Sequence, residues 1–517
     1  MRRLRLAFLA FVGLIVAAIG AAGVFIATVD PNDYRGVIAD RLQAIAGQPV
    51  MLRGPLRWSI GLMPTVSAED VMVGAPDGSS GQSMRVGAVA IQVELIPFLM
   101  ERAVRVRRLV VRDAAIVLDL PAATAGASAG APVPLPMLPD IAELEVRVAV
   151  VTVRDVPRGQ AWQLAVARAL VRAESDQLNV AAEGRFNEQA FTVEGRAGRF
   201  AMLSGSAPYP VALAVTVGEI VRASVDGTIA NALAAPSPDL TVTFEGAELQ
   251  RAAALVGVAV PPLGAYRGEL KLAARDGQPT IPQLSLEFGA AERLRVAVTG
   301  SVGAPLAQRG FDLNVAAEGR EIGAFSEAVF AGQRLPAMPA LGPFAIRLRI
   351  AGDQPSFEDL RVQVGRENGP RAVVTGRIDR PLVSRGLAVE VQAHAPDGAQ
   401  LARLLRLDLP LRGAVAFQAR VSDADAARMR FQNLRATVGP NDLTGDVTIA
   451  HAGARPGIAG EIAAARIDVA ALSADSRRAP ASADGRVFSD APLPFDLLGL
   501  ADAELRVRAA RVDGLPV

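Results

Sequence analysis

The chain has 517 residues, with 54 Lys plus Arg against 53 Asp plus Glu and a net charge of +1. That balance argues against nucleic acid, which needs a patch of uncompensated positive charge. With no Cys and only two His, the chain lacks the parts for thiol catalysis, disulfide stapling and the ordinary zinc and triad patterns.

Residues 1–5 form a basic tail with Arg2, Arg3 and Arg5, and Leu6–Thr28 is an uncharged apolar run. At about 1.5 Å per residue, a helix over that run crosses a hydrocarbon core of roughly 30 Å. No other run is long and apolar enough to span, so one crossing is expected, and the basic flank predicts the tail cytoplasmic and everything from Asp30 outside the cytoplasm. A cleaved signal peptide is the alternative, served by Ala18, Gly20, Ala21 and Ala22. The apolar run continues past these to Ala27, which favours an uncleaved anchor.

Residues 29–120 read as a short helix followed by strands. Asp30-Pro31 starts the helix, an apolar stripe runs from Tyr34 to Ile45, and Gly47 ends it. Strands are expected at Val50–Leu52, Thr65–Val73 and Met84–Leu95. In the last of these, Val86, Ala88 and Ala90 share one face, and Val89, Ile91, Val93 and Leu95 the other. Glu94–Leu99 breaks the alternation and crosses to a new strand pair at Val104–Arg107 and Leu109–Leu120. Residues 121–140 are a loop rich in Ala, Gly and Pro.

Residues 141–235 read as an antiparallel meander. Ile141–Val156 places Leu144, Val146, Val148 and Val150 opposite Glu143, Glu145 and Arg147. Trp162–Ala173 places Leu164, Val166, Arg168 and Leu170 on one face, and turns are expected at Phe186-Asn187, Pro208-Tyr209-Pro210 and Gly218.

Residues 236–475 hold three β-rich repeats. Each carries a short helical segment (Glu248–Val256, Phe325–Phe330, Gln400–Leu405) and then a turn glycine: Gly264, Gly342, Gly413. An alternating strand follows, and then a Thr-Gly pair at Thr299-Gly300, Thr375-Gly376 and Thr444-Gly445. Period-two reading gives each strand one apolar face: Leu284, Leu286 and Phe288; Leu360, Val362 and Val364; Leu434, Ala436 and Val438. These nine residues are the proposed apolar groove face. Either a second layer covers it, giving closed sandwiches, or it stays open as a trough for hydrocarbon. Residues 476–517 read as a polar linker and the start of a further β region, expected to continue past Val517. His394 and His451 read as surface or turn residues. No catalytic, cofactor-binding or metal motif is found, and the chain is expected not to be an enzyme.

Several of these fragments resemble the AsmA family of Gram-negative envelope proteins. They are the N-terminal anchor, Ala46-Gly47-Gln48, Gly54-Pro55-Leu56-Arg57-Trp58-Ser59, Pro64 before its strand, and Leu95-Ile96-Pro97-Phe98-Leu99. Further matches are Gly184-Arg185-Phe186-Asn187, Tyr209-Pro210, Val225-Asp226-Gly227-Thr228-Ile229 and Arg486–Asp496. The loop at Ala122–Pro139 departs from the family, which usually has a Gly-x-x-Asn-Trp segment there. The resemblance implies a mainly β chain: one N-terminal transmembrane helix, then an elongated, repetitive, twisted antiparallel sheet with short flanking helices. It also implies a single-pass protein of the inner membrane with its bulk in the periplasm. Its partner would be phospholipid, held by acyl chains in the apolar groove, and its role phospholipid transfer and outer-membrane biogenesis. The alternative is a non-enzymatic scaffold for outer-membrane protein assembly, contacting assembly proteins through strand edges.

Overall fold

The computed structural model describes residues 49–59, 64–74, 82–94, 105–120, 140–155, 159–233, 236–275, 277–290, 293–323, 341–381, 385–405, 413–425, 427–450, 455–468 and 502–513, with isolated positions between 32 and 43. The apolar run at Leu6–Thr28, the loop 121–139, the segment Phe325–Phe330 and the linker 476–500 lie outside the described residues. Among the described residues no helix is long and apolar enough to cross a membrane. The chain is mainly β, with strands over 73% of the described residues, and it divides into two compact units.

The first unit comprises residues 1–260, 264–284 and 303–307. Its strands are β1 (Val50–Leu52), β2 (Leu56–Ser59), β3 (Thr65–Val73), β4 (Gln82–Val93), β5 (Arg105–Leu120), β6 (Asp140–Asp155) and β7 (Gln160–Glu174). They continue with β8 (Gln177–Phe186), β9 (Gln189–Gly198), β10 (Tyr209–Val217), β11 (Val221–Ala230), β12 (Ser237–Gly246) and β13 (Tyr266–Arg275). Neighbours pair antiparallel except β5 and β6, which are parallel. The core gathers the inner faces of β1 to β6, where Val71, Val86 and Leu109 are fully buried. Ala39 packs against it, so the helix expected after Asp30 does seat on the first strands. Asn32 fixes it there: its amide donates to the Leu56 carbonyl at 3.2 Å, and its oxygen accepts from the Leu56 N–H at 3.0 Å.

Three readings of this unit are corrected. Val104–Arg107 and Leu109–Leu120 are not two strands. From Arg105 onward they are one strand, β5, paired antiparallel with β4. Tyr209-Pro210 is the start of β10 rather than a turn. The third error concerns faces. Val86 lies inward with Val89 and Ile91, not with Ala88, and Val148 is 54% exposed while Leu144, Val146 and Ala149 turn toward the core. In β7, Ala169 pairs with Val146 and Val171 with Leu144, so Leu164 and Val166 continue as Ala169 and Val171, and Arg168 and Leu170 point outward.

All the misread faces lie along one line across the sheet. Asp70, Asp113 and Val148 have φ of 48°, 53° and 57°. Between Glu69↔Ala88 and Val71↔Val86, Asp70 stands opposite Gly87; Gly87 stands opposite Asp113, and Asp113 beside Val148. A left-handed residue advances the chain without alternating the side chain, so each strand skips one step while the ladder stays in register. At β8 the skip ends in a register shift between Val166 and Arg168. A Cβ on Gly87 would stand 2.8 Å from the Asp113 Cβ, which is why that position has none.

The second unit comprises residues 261–263, 285–302 and 308–517. Strands β14 (Gln278–Ala290) and β15 (Leu294–Ala304) are divided between the units. Within the second lie β16 (Arg309–Gly319), β17 (Phe344–Gly352), β18 (Ser356–Gly365), β19 (Arg371–Arg380) and β20 (Arg385–Ala395). It continues with β21 (Val415–Asp423), β22 (Arg428–Val438), β23 (Asn441–Ala450), β24 (Gly457–Asp468) and β25 (Asp502–Asp513). Strands β16 to β24 form an antiparallel meander, and β25 adds parallel to β24.

The described helices sit in the strand connections. In the first unit, α1 (Leu249–Leu255) follows β12 with Glu248 as N-cap. In the second, α2 (Gly398–Leu405) follows β20, and the Asp397 carboxylate accepts from the Ala399 N–H at 2.9 Å.

Candidate functional site

In an antiparallel pair, directly opposed residues share a face. The register of the second unit therefore carries one face from strand to strand. Leu313 opposes Ile350, and Ala317 opposes Ile346. Ile346 opposes Val362, Val362 opposes Val374, and Val374 opposes Val391. Val391 opposes Ala419, Phe417 opposes Ala436, and Ala436 opposes Leu443. The other face carries Asp312, Arg349, Arg361, Glu390, Arg420 and Asp446. Arg349 Nε donates to Asp312 at 2.7 Å there, which holds that carboxyl below its ordinary range.

By register, Leu360, Val362, Val364, Leu434, Ala436 and Val438 lie on this apolar side. Phe288, Val362 and Val364 pack around Val296, Ala317, Ile322 and Phe344. Leu360, Val362 and Leu434 pack around Val389, Ala419 and Val421. Val362 belongs to both clusters and joins them. Leu284, in the first unit, and Leu286, Ala436 and Val438 lie in neither. Of the nine, Leu360 alone is fully buried; the other eight are half-buried. This contrasts with the β1–β6 core of the first unit, where equivalent aliphatic side chains are sealed from water. Within the second unit, the extensive strand contacts are those between ladder neighbours, with no second sheet stacked on the apolar face among the described residues.

The glycines of the repeat have two separate jobs. Gly264, Gly342 and Gly413 have φ of 86°, 94° and 78°, and each turns the chain into the next strand. An acidic residue holds two of these turns. Glu248 Oε1 accepts from the Gly264 N–H at 2.9 Å in the first unit, and Glu321 Oε1 accepts from the Gly342 N–H at 3.1 Å in the second. Gly300, Gly376 and Gly445, from the Thr-Gly pairs, have φ of 145°, 148° and 158°. A Cβ there would stand 2.0 to 2.2 Å from the carbonyl oxygens of Asp312, Ala388 and Glu461. Gly195 and Gly227 in the first unit repeat this geometry against Ala212 and Asp239. The bulged residues Asp359 and Asn433, with φ of 48° and 51°, precede Leu360 and Leu434, and the following leucines oppose Gly376 and Gly445. The Asp446 carboxylate accepts from the Asn433 N–H at 2.8 Å and secures that bulge.

Sequence reasoning missed the acid before each helical segment: Glu248, Glu321 and Asp397. The recurrence of one carboxylate at the end of each preceding strand was the available signal. It also missed the pairing of strand-end glycines with aromatic rings. In the first unit, Gly246 and Gly198 lie under Tyr266 and Tyr209; in the second, Gly319 lies under Phe344. The hydroxyls of Tyr209 and Tyr266 donate to the carbonyls of Gly198 and Ile220 at 2.6 and 3.0 Å, and burial pushes the Tyr209 hydroxyl up to about 12.

The first unit also carries a cross-strand ion-pair cluster. The Glu145 side chain is 1% exposed, with Arg108 Nη2 at 2.6 Å, Arg147 Nε at 2.7 Å and Arg168 Nη2 at 3.6 Å. Glu143 beside it takes Arg108 and Arg172. Val110 and Leu170 stand opposite Glu145 on the flanking strands, and the guanidinium groups reach it from the same face. Hydrogen bonds from Arg147 and then Arg108 outweigh desolvation and hold its carboxyl down at about 2.

Among known proteins, no curated sequence and no solved structure matches this chain. A family model does match: that of the AsmA family, over residues 1–123. The matched region holds the apolar run, strands β1 to β5 and the fragments from Ala46 to Leu99 that carried the N-terminal resemblance. Beyond it the resemblance rests on motifs alone. Residues 1–123 of this chain are similar to the AsmA family.

Proposed function

We propose that this is a membrane-anchored envelope protein that holds lipid acyl chains against its apolar strand faces and so supports phospholipid transfer to the outer membrane. It does so without covalent chemistry. The observation that carries the reading is the half-buried face built from Phe288, Val362, Val364, Leu434, Ala436 and Val438. A contiguous apolar surface left partly open to water calls for an apolar ligand. Full burial is worth about 0.8 kcal/mol per CH₂, and a chain lying on one wall gains roughly half of that. Successive strands of β16 to β23 offer similar aliphatic side chains, so a bound chain gains much the same at each. That near-equality favours passage over trapping. The AsmA region and the uncharged run at Leu6–Thr28 support an anchor in the inner membrane.

The test is site-specific photocrosslinking in the full-length membrane-inserted chain. A photoreactive residue at Val362 or Val438 is expected to capture phospholipid at least tenfold more than one at Gln363 or Thr437 on the opposite face. Equal capture from both faces, or none from either, would refute the reading.

One observation favours the second reading, a scaffold for outer-membrane protein assembly. Strand β25 is exposed along almost its whole length, with Leu505 at 41%, Val507 at 53% and Val512 at 44%. Protein crosslinks from Val507, with lipid crosslinks absent at Val362, would make that reading the leading one.

A further inference from the structure

The charged face of the second unit holds a cleft of about 380 Å³ across β19 to β22. Its floor follows from the register. Arg371 opposes His394, His394 opposes Ala416, and Gln418 opposes Arg435. Ala416 is the small residue in the middle, and its missing side-chain volume makes the hollow.

The surrounding charges are unbalanced. Elsewhere on this face Arg349, Arg377 and Arg506 find carboxylates within salt-bridge distance. Among the described residues Arg371 and Arg435 find none. Two carboxylates of this face stand near and are engaged: Asp442, opposite Thr437, accepts from the Arg466 N–H at 2.9 Å, and Gln392 Nε2 and Gln418 Nε2 donate to Glu390 Oε1 at 3.1 and 2.8 Å. That commits both amide nitrogens and leaves Arg371, Arg435 and His394 as the free donors. Arg371 and Arg435 line the hollow from β19 and β22, strands that lie three ladder spacings of about 4.8 Å apart. Two like charges held across a concave surface raise the local potential and attract an anion. A guanidinium is suited to a phosphate oxygen pair, which it can bind in bidentate fashion.

We propose that this cleft is a binding site for a phosphate-class oxyanion, held between Arg371 and Arg435 with His394 as a third donor. It faces away from the apolar strand face, so it does not depend on lipid being held there. The same chemistry would suit free phosphate or the phosphate of a soluble glycerol ester, the latter standing for a lipid headgroup.

The experiment is calorimetric titration of the full-length chain in detergent, with inorganic phosphate in one arm and glycerol 3-phosphate in the other, at low ionic strength. One saturable site per chain is expected. Arg371→Gln and Arg435→Gln are each expected to weaken it at least tenfold, Arg435→Lys less so, with the melting temperature unchanged because both side chains are exposed. Tighter binding of glycerol 3-phosphate supports the site as a reader of headgroup-type esters, and tighter binding of inorganic phosphate supports it as a free-anion site. No saturable binding in either arm, or binding untouched by both substitutions, overturns the proposal.

Discussion

Replacing Glu145 with Gln removes a carboxylate that Arg108 and Arg147 hold at 2.6 and 2.7 Å, while keeping nearly the same shape. Its carboxyl is depressed from 4.5 to about 2, first by the Arg147 hydrogen bond and next by that of Arg108. At about 1.4 kcal/mol per tenfold change in proton affinity, such a depression is worth about 3 kcal/mol in a site sealed from water. This site is not sealed, because Arg108, Arg147 and Arg168 are 43%, 52% and 55% exposed. Screening lowers the expected contribution to about 1–2 kcal/mol.

The sign follows from the direction. A carboxyl with a depressed folded-state value stabilises fully above its unfolded value, and that stability is lost as pH falls from about 4.5 through about 2. Arg108 lies in β5, Glu145 in β6 and Arg168 in β7, so the strands concerned are those joining residues 1–123 to the meander. A chain of two units is not a two-state system, so the local opening of β5 and β6 is the quantity to follow, by amide hydrogen exchange. At pH 7 the Glu145→Gln chain is expected to exchange those amides about 5 to 30 times faster than the native chain, after correction for intrinsic rate. The difference should shrink in high salt and vanish near pH 2. Equal exchange at pH 7, or a difference that persists at pH 2, would refute the argument.

The Thr-Gly glycines give a second test. Gly376→Ala places a Cβ 2.2 Å from the Ala388 carbonyl oxygen and is expected to cost about 2–4 kcal/mol, whereas Gly277→Ala meets nothing within 4 Å and should cost about 1 kcal/mol for its positive φ alone. Pulse proteolysis of the two variants compares them; equal sensitivity would exclude the clash. Tyr209→Phe leaves the buried Gly198 carbonyl without its 2.6 Å donor and should cost about 1–2 kcal/mol, read as faster exchange in β9 and β10. Glu248→Ala removes the acceptor for both the Gln250 and Gly264 N–H groups and should cost about 1 kcal/mol, seen as faster exchange of the α1 amides.

Strand type and approximate extent could be read from period-two alternation, because half-buried strands with one wet face write that pattern directly into the chain. Strands β18 and β22 are the clearest cases, and Leu360, Val362 and Val364 fall on the face assigned to them. The reading of faces failed at the line through Asp70, Gly87, Asp113 and Val148. There each strand spends an extra residue without changing face, and period-two counting inverts every side chain beyond it. Asp70 and Asp113 are residue types that tolerate a left-handed backbone, so a weak signal existed. Val148 gave none, since a β-branched residue is a poor occupant of that conformation.

The repeat shows why the glycines were legible when the site was not. What recurs from unit to unit is backbone constraint: a turn glycine at 264, 342 and 413, and at 300, 376 and 445 a glycine with a neighbouring carbonyl where its side chain would go. Of the apolar face, only the first side chain recurs, as Leu284, Leu360 and Leu434; the other two positions vary. Leu286, Val362 and Ala436 occupy the same place in three repeats, and Phe288, Val364 and Val438 the next. A site for directional chemistry would show the opposite pattern, fixed side chains on a tolerant backbone. Burial of hydrocarbon is non-directional and counts area rather than identity. A face that varies among apolar residues at two of its three positions, while its backbone geometry is held by glycine, fits a wall that acyl chains pass along, and it leaves little residue motif for sequence reading to find.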